Sequence, residues 1–313
     1  MRAACLKKLN QMQDINPLRA KFDVLSAEIH DHAKARTPFA RPRRMRNILA
    51  RLHDPAWDIE WQEALILLAC LCRMQPARTH GKLMKLRDAR VAQGEEREFD
   101  DYVQLIRDLL HPDFITSHGY TRTFSEMDAA QIFRSMGTAL KPLEALGQPF
   151  FLYAGALLGH IRNGKLIGHD DDIDIAIMLG DCTDDEVPHR WLAYKKQLDE
   201  HGLIDEAERV NNRPVFKFSS NLGTDIDLFP AWTNKGKFSV YPYSLGEIDD
   251  EDVFPLGSFG QDPLMLPSNP EAMLAQSYGQ DWRVPDPFFH IDWKRKKKQY
   301  GMLFLTDYNL DAA

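Results

Sequence analysis

The sequence has few cysteines and no long apolar run. Its four cysteines (Cys5, Cys70, Cys72 and Cys182) fit no zinc-binding spacing and are too scattered for a disulfide scaffold, which favours a reducing compartment. The most apolar stretch, residues 64–71, is far shorter than the roughly 20 residues that a transmembrane helix requires. The N-terminus also lacks the apolar core of a signal peptide. We therefore expect a cytoplasmic protein, either free or peripheral at the inner face of the membrane.

An excess of positive charge is also absent. The formal net charge of the 313 residues is −7, which argues against a general nucleic-acid binder, and we expect no nucleic-acid partner. Residues 1–148 contain 23 Lys and Arg against 19 Asp and Glu, whereas residues 149–313 contain 16 against 27. The first half is thus mildly basic and the second half strongly acidic.

Hydrophobic spacing divides the chain into two regions. In residues 1–120, apolar side chains recur at helical spacing over 17–35, 55–71 and 96–110, which predicts a mainly helical N-terminal region. The stretch 111–125 has no clear period and marks the boundary.

Residues 121–313 are predicted to form an α/β or α+β domain. Helices are expected from Ser125 to about Gly147, where Ser-Glu-Met-Asp resembles a capping box, and at 156–162, 191–201 and 270–279. Strands are expected at 150–154, 173–178, 203–210, 214–219 and 223–229, with a hairpin around 234–237. This order predicts a sheet with flanking helices.

Two aspartates stand at the start of one predicted strand. Alternate side chains of a strand point the same way, so Asp172 and Asp174 share a face while Ile173 and Ile175 pack into the core. Adjacent carboxylates repel each other unless a cation neutralises them, and hard oxygen ligands suit Mg²⁺ or Mn²⁺. Asp170 adds negative charge just ahead of the strand. The alternative interpretation is a solvated acidic turn at a strand entrance.

A second acidic pair repeats the pattern. Asp225 and Asp227 share a face opposite Ile226 and Leu228. If the two strands are neighbours, this pair supplies a third carboxylate for one or two metals that bridge a phosphate. The alternative is an exposed edge strand with its charges turned outward.

Candidate phosphate-binding residues lie in the same region. Gly155 and Ala156 stand where a strand gives way to a helix, and a glycine there lets phosphate approach the backbone at a helix N-terminus. A glycine required for packing is the alternative. Four cations are further candidates for phosphate binding, each of them alternatively a surface charge: Arg162, Lys165, Arg213 and Lys217.

Seven segments between residues 151 and 282, taken in their order along the chain, resemble the LicD family. This family includes bacterial phosphocholine transferases and, more distantly, fukutin and fukutin-related protein. The resemblance covers roughly residues 126–290. His169 stands where the family usually has Trp, and Ala156 stands where it commonly has Thr or Ser. The segments that carry the resemblance are 151–159, 161–167, 169–175, 225–230, 252–256, 267–270 and 278–282.

The resemblance implies a nucleotidyltransferase-type mixed sheet with flanking helices and a bound divalent metal. It implies transfer of a phospho-alcohol (phosphocholine, ribitol phosphate or glycerol phosphate) from a CDP-linked donor to a glycan acceptor, with release of CMP. Asp172 and Asp174 match the family's metal ligands. Asp227 matches the third carboxylate better than Asp225, because it directly precedes Leu-Phe-Pro.

The expected mechanism places Mg²⁺, or Mn²⁺, on Asp172, Asp174 and Asp227. A hydroxyl of the acceptor, a surface polysaccharide or lipid-linked sugar, attacks the distal phosphorus, and Asp227, Asp225 or Asp170 accepts its proton. Two alternatives stay open. One is a nucleotidyltransferase that moves NMP from an NTP to a small molecule or nucleic acid. The other is a non-catalytic glycan-binding module.

Two basic segments have no place in this mechanism. Residues 34–51 contain seven Lys and Arg and no acidic residue, and residues 294–298 are all Lys or Arg. The functional interpretation of the first is docking onto an anionic glycan or membrane surface, and the alternative is a solvated helix face. Residues 294–298 admit the same two interpretations.

Overall fold

The chain forms two compact units in the computed structural model. The structure describes residues 16–258, 265–286, 289 and 291–312, so Cys5 lies outside the described part. The first unit ends at Arg122 and the second begins at Thr123. Each unit has a hydrophobic core of its own.

The first unit is built from helices around one buried helix. Its elements are α1 (Pro17–Lys34), α2 (Pro42–Ala50), α3 (Asp58–Leu71), α4 (Pro76–Ala92), α5 (Glu96–Leu110), β1 (Phe114–Ile115) and β2 (Tyr120–Thr121). Every residue from Ala64 to Leu71 of α3 is buried, because α1, α2, α4 and α5 all pack against it. The apolar stretch of the sequence is therefore the centre of a helical core. Among the described residues, no helix combines the length and hydropathy needed to cross a membrane.

The second unit contains a six-stranded mixed sheet, which confirms the predicted α/β fold class. Its strands are β3 (Phe150–Leu152), β4 (Asp172–Asp181), β5 (Phe216–Phe218), β6 (Asp225–Asn234), β7 (Lys237–Val240) and β8 (Ser244–Asp249). The order is β3-β4-β6-β7-β8. Strand β5 pairs with the first half of β6, and β7 pairs with the second half of β6 along the same edge. The β4–β6 pair is parallel and the other pairs are antiparallel.

Helices and a small ribbon complete the second unit. The ribbon pairs β9 (Gly257–Ser258) with β10 (Met265–Leu266). The helices are α6 (Ala129–Ala139), α7 (Lys141–Glu144), α8 (Ala154–Asn163), α9 (Val187–Glu200), α10 (Glu206–Arg209), α11 (Pro270–Tyr278), α12 (Trp293–Gln299) and α13 (Gly301–Leu305).

Two predicted elements differ from the structure. The helix expected from Ser125 begins at Ala129, because Asp128 caps it by accepting a hydrogen bond from Gln131 N. Ser125 instead lies in a short 3₁₀ turn, where its N–H donates to Gly168 O at 2.8 Å. Residues 203–210, expected to form a strand, instead include the short helix α10. The side chain of Asp205 caps this helix.

A buried lysine ties the C-terminal segment to the second unit. Lys195 is fully buried on α9, and its Nζ donates to the backbone oxygens of Asn211 (2.7 Å) and Tyr308 (2.6 Å), with Arg209 O at 3.3 Å. The same Nζ lies 5.0 Å from the ring centroid of Phe216 in β5. One side chain thus satisfies three carbonyls from two distant parts of the sequence.

We predict that Lys195→Met lowers the free energy of unfolding by about 3 kcal/mol, because it keeps the length of the side chain but leaves buried carbonyls without their donor. Chemical unfolding followed by circular dichroism measures this loss. Lys196→Met is the matched control, since Lys196 is the exposed neighbour on the same helix. Equal stability of the two variants would contradict the assigned role.

Candidate active site

The parallel pairing of β4 with β6 brings the two acidic pairs together. Asp172 lies opposite Asp225 and Asp174 lies opposite Asp227 in the register of the two strands. Neighbouring strands are about 4.8 Å apart, and paired residues project from the same face of a sheet. Four carboxylates therefore share one face of the sheet, at the end where both strands begin.

Burial separates these four carboxylates into two kinds. Asp172, Asp174 and Asp227 are 6%, 9% and 9% exposed, whereas Asp225 lies at the exposed start of β6. Ile173 and Ile175, which alternate with the aspartates of β4, are fully buried on the other face, and this fixes the strand in this orientation. The structure thus favours Asp227 over Asp225 as the member of a buried trio.

A cation from the neighbouring strand stands beside the second pair. Lys217 of β5 pairs with Asp227 in the register, and its Nζ binds the Asp225 carboxylate and lies 3.8 Å from Asp227 Oδ1. Burial lowers the pKa of Lys217, but the hydrogen bond with Asp225 and the surrounding carboxylates outweigh it and raise the pKa overall. Lys217 is therefore protonated and positively charged at the edge of the site.

Gly155 brings the start of α8 against the carboxylates. Its N–H donates to Asp174 Oδ2 at 2.8 Å. A Cβ at this position would lie 2.6 Å from Asp170 Oδ2 and 3.2 Å from Asp174 Oδ2. The sequence suggested that this glycine lets phosphate approach; the structure shows that the missing side chain makes room for two aspartates.

Asp170 is held close to this junction. Its backbone oxygen accepts a hydrogen bond from Phe124 N, and its Oδ1 accepts one from Asp171 N at 3.1 Å. Burial raises the pKa of the Asp170 carboxyl to about 7, and the charge of Asp174 contributes to the increase. Asp170 is thus a fifth carboxylate of the same cluster.

The other predicted phosphate contacts are more dispersed. Ala156 is buried in the first turn of α8. Arg162 lies in the last turn of that helix, about 10 Å along its axis from Gly155, and Lys165 follows the helix in an exposed position. Arg213 is exposed, and its Nε donates to Asn211 Oδ1 at 2.9 Å. Of the four predicted cations, Lys217 is the one that contacts the carboxylate cluster.

A row of aromatic rings borders the carboxylates, and sequence periodicity did not reveal it: Tyr153, Phe229, Tyr243, Tyr278 and Phe289. The ring centroids of Tyr153 and Tyr243 are 5.9 Å apart, those of Tyr243 and Tyr278 are 5.3 Å apart, and those of Tyr278 and Phe289 are 4.7 Å apart. Burial chiefly raises the pKa of Tyr278, and the Asp174 charge raises it further. Phe289, at the outer end of the row, is 40% exposed.

Comparison with known proteins identifies this part of the chain. Residues 147–269 match the family described as LicD/FKTN/FKRP, nucleotidyltransferase domain. They form a LicD domain. The LicD domain contains Gly155, Lys217 and all five carboxylates of the cluster, whereas Tyr278 and Phe289 lie beyond it.

Two curated relatives align with part of this chain. The ribitol 5-phosphate transferase FKRP of Mus musculus is 32% identical over 94 residues, and that of Homo sapiens is 31% identical over the same length. Each alignment covers 30% of this chain and 19% of the relative. The chain thus matches about a fifth of the length of these relatives.

The buried trio of the LicD domain fits a divalent metal. Asp172, Asp174 and Asp227 offer carboxylate oxygens alone, which are the ligands that Mg²⁺ and Mn²⁺ prefer. Three carboxylates buried next to each other cost stability unless positive charge offsets theirs, and Lys217, with its Nζ 3.8 Å from Asp227 Oδ1, supplies one such charge. These three residues are the candidate ligands for such an ion.

We predict that Gly155→Ala destabilises the LicD domain by about 1–3 kcal/mol, because the added methyl group displaces Asp170 and Asp174 from their contacts. Chemical unfolding measures the loss. Gly301→Ala is the control: a Cβ at Gly301, at the start of α13, meets no atom within 4 Å. A Gly155→Ala variant as stable as this control would show that the close approach is dispensable.

Proposed function

We propose that the LicD domain catalyses transfer of a phospho-alcohol from a CDP-linked donor to a hydroxyl of a glycan acceptor, with release of CMP. The observation that carries this proposal is the buried trio Asp172, Asp174 and Asp227 on paired strands of the LicD domain. The curated relatives, named as ribitol 5-phosphate transferases, support a phospho-alcohol as the transferred group. The acceptor is a surface polysaccharide or a lipid-linked sugar.

The trio and Lys217 together bind the donor. Asp172, Asp174 and Asp227 would hold a divalent ion, Mg²⁺ or Mn²⁺, which when bound would supply positive charge to the phosphate oxygens of the donor. Lys217 adds a cation at the edge of the cluster, where it stabilises negative charge on the leaving CMP. The aromatic row from Tyr153 to Phe289 excludes water from the same side of the site, which strengthens these electrostatic interactions.

The transfer step forms one bond and breaks one. The acceptor oxygen bonds to the distal phosphorus of the donor, while the bond from that phosphorus to the bridging oxygen breaks and CMP leaves. The acceptor proton passes to a carboxylate. We assign this base to Asp170, because it lies against Asp174 at Gly155, whereas Asp227 belongs to the trio and Asp225 is bound to Lys217.

A donor screen tests the proposed reaction. The full chain is incubated with CDP-choline, CDP-ribitol, CDP-glycerol or CTP and a glycan acceptor, and CMP or pyrophosphate is measured. We expect CMP from at least one CDP-alcohol, loss of release on chelation, and recovery on adding Mg²⁺ or Mn²⁺. Pyrophosphate from CTP would instead indicate a nucleotidyltransferase, and glycan binding without either product would indicate a binding module.

We predict that Asn in place of Asp172, Asp174 or Asp227 lowers CMP release by at least about a hundredfold, since each substitution removes a buried charge from the ion site. Asp225→Asn is the matched control on the same face of the sheet and should lose far less, because Asp225 is exposed. Circular dichroism confirms folding. Wild-type turnover in any variant of the trio would contradict the assigned ligand set.

A further inference from the structure

The C-terminal helices form a surface that the proposed reaction does not use. In α12, five consecutive cations occupy positions 294–298 and follow Trp293. Lys294, Arg295, Lys297 and Lys298 are exposed. We call Trp293, these cations, Phe304 and Leu305 the basic–aromatic patch.

Large apolar side chains lie exposed within this patch. Trp293, Phe304 and Leu305 are 48%, 36% and 90% exposed. The rings of Trp293 and Phe304 both pack on Tyr241, with centroids 6.5 and 6.0 Å from it. Lys297 Nζ lies 5.7 Å from the Phe304 ring, so positive charge and apolar surface occupy the same face.

The charge of the patch contrasts with that of its surroundings. Residues 123–313 contain 30 Asp and Glu against 18 Lys and Arg, and five of these 18 are at positions 294–298. The adjoining Asp292 is engaged in capping α12, since its Oδ1 accepts a hydrogen bond from Arg295 N. The patch is thus a local basic surface on an acidic unit.

We propose that the basic–aromatic patch docks this unit onto a lipid bilayer rich in anionic headgroups. Clustered Lys and Arg attract anionic lipids, and exposed Trp, Phe and Leu beside them enter the interfacial region. A soluble polyanion would engage the cations but gives no reason for a 90% exposed leucine beside them. The basic segment 34–51 offers less apolar surface, because Ile48 of α2 is 39% exposed and Leu49 is fully buried in its own unit.

Vesicle co-sedimentation of the full chain, without donor or metal, tests the proposal independently of the reaction. We expect binding to phosphatidylcholine vesicles that contain phosphatidylglycerol, weaker binding at high salt, and little binding to pure phosphatidylcholine. The triple variant Lys294→Gln, Lys297→Gln, Lys298→Gln should partition about a hundredfold more weakly, at about fivefold per lysine. Leu305→Gln should lose about tenfold through its apolar contribution.

Matched controls separate this patch from general charge and hydrophobicity. The triple variant Arg43→Gln, Arg44→Gln, Arg46→Gln removes the same charge from α2, and Val24→Gln removes a 71% exposed apolar side chain from α1. Both should bind vesicles as wild type does. Control variants that lose as much binding as the patch variants would overturn the assignment.

Fluorescence locates the contact on the protein. Brominated lipids should quench the emission of Trp293, and this quenching should disappear in Trp293→Phe, because the other tryptophans lie outside the patch. Binding to heparin but not to anionic vesicles would overturn the proposal and assign the patch to a soluble polyanion. Equal binding to anionic and neutral vesicles would also overturn it.

Discussion

The parallel ladder between β4 and β6 is the constraint on which the candidate site depends. Its register aligns Asp172 with Asp225 and Asp174 with Asp227, although more than fifty residues separate the two pairs in the sequence. A slip of one residue would turn one pair toward the opposite face and bury charge among the isoleucines of β4. The hydrophobic requirement of the core therefore fixes the position of the carboxylates, and the strands cannot relax their mutual repulsion by sliding.

Compensating groups from two elements offset this repulsion. Lys217 from β5 binds Asp225 and approaches Asp227, whereas the N–H of Gly155 from α8 binds Asp174. Burial raises the pKa of the Asp170 carboxyl, and the charge of Asp174 adds to the increase. Each partner comes from an element that packs beside the ladder, so the packing of these elements against the sheet determines how the carboxylates are stabilised. The position of Gly155 therefore affects both Asp170 and Asp174.

Alternation within single strands predicted the two acidic pairs and their shared face. The same alternation could not decide between Asp225 and Asp227, because burial depends on which neighbour covers the start of β6. It also could not anticipate that Asp170 and Asp174 occupy the space over Gly155, since that requires the angle between β3 and α8. The strand predicted over 203–210 failed for a local reason: Asp205 caps a short helix there. Residues such as Tyr243 and Phe289 carry no periodic signal and meet the site through tertiary packing.

The C-terminal segment beyond the LicD domain is part of the same folded unit. Tyr300 is fully buried and donates its hydroxyl hydrogen to Val240 O of β7 at 3.1 Å, and Tyr308 O accepts a hydrogen bond from the buried Lys195. Tyr278 extends the aromatic row beside the carboxylates from α11. A fragment that ended at residue 269 would expose the surfaces that these side chains cover. The segment that completes the core also carries the basic–aromatic patch, so docking at that patch would orient the sheet, and with it the carboxylates, relative to the surface that is bound.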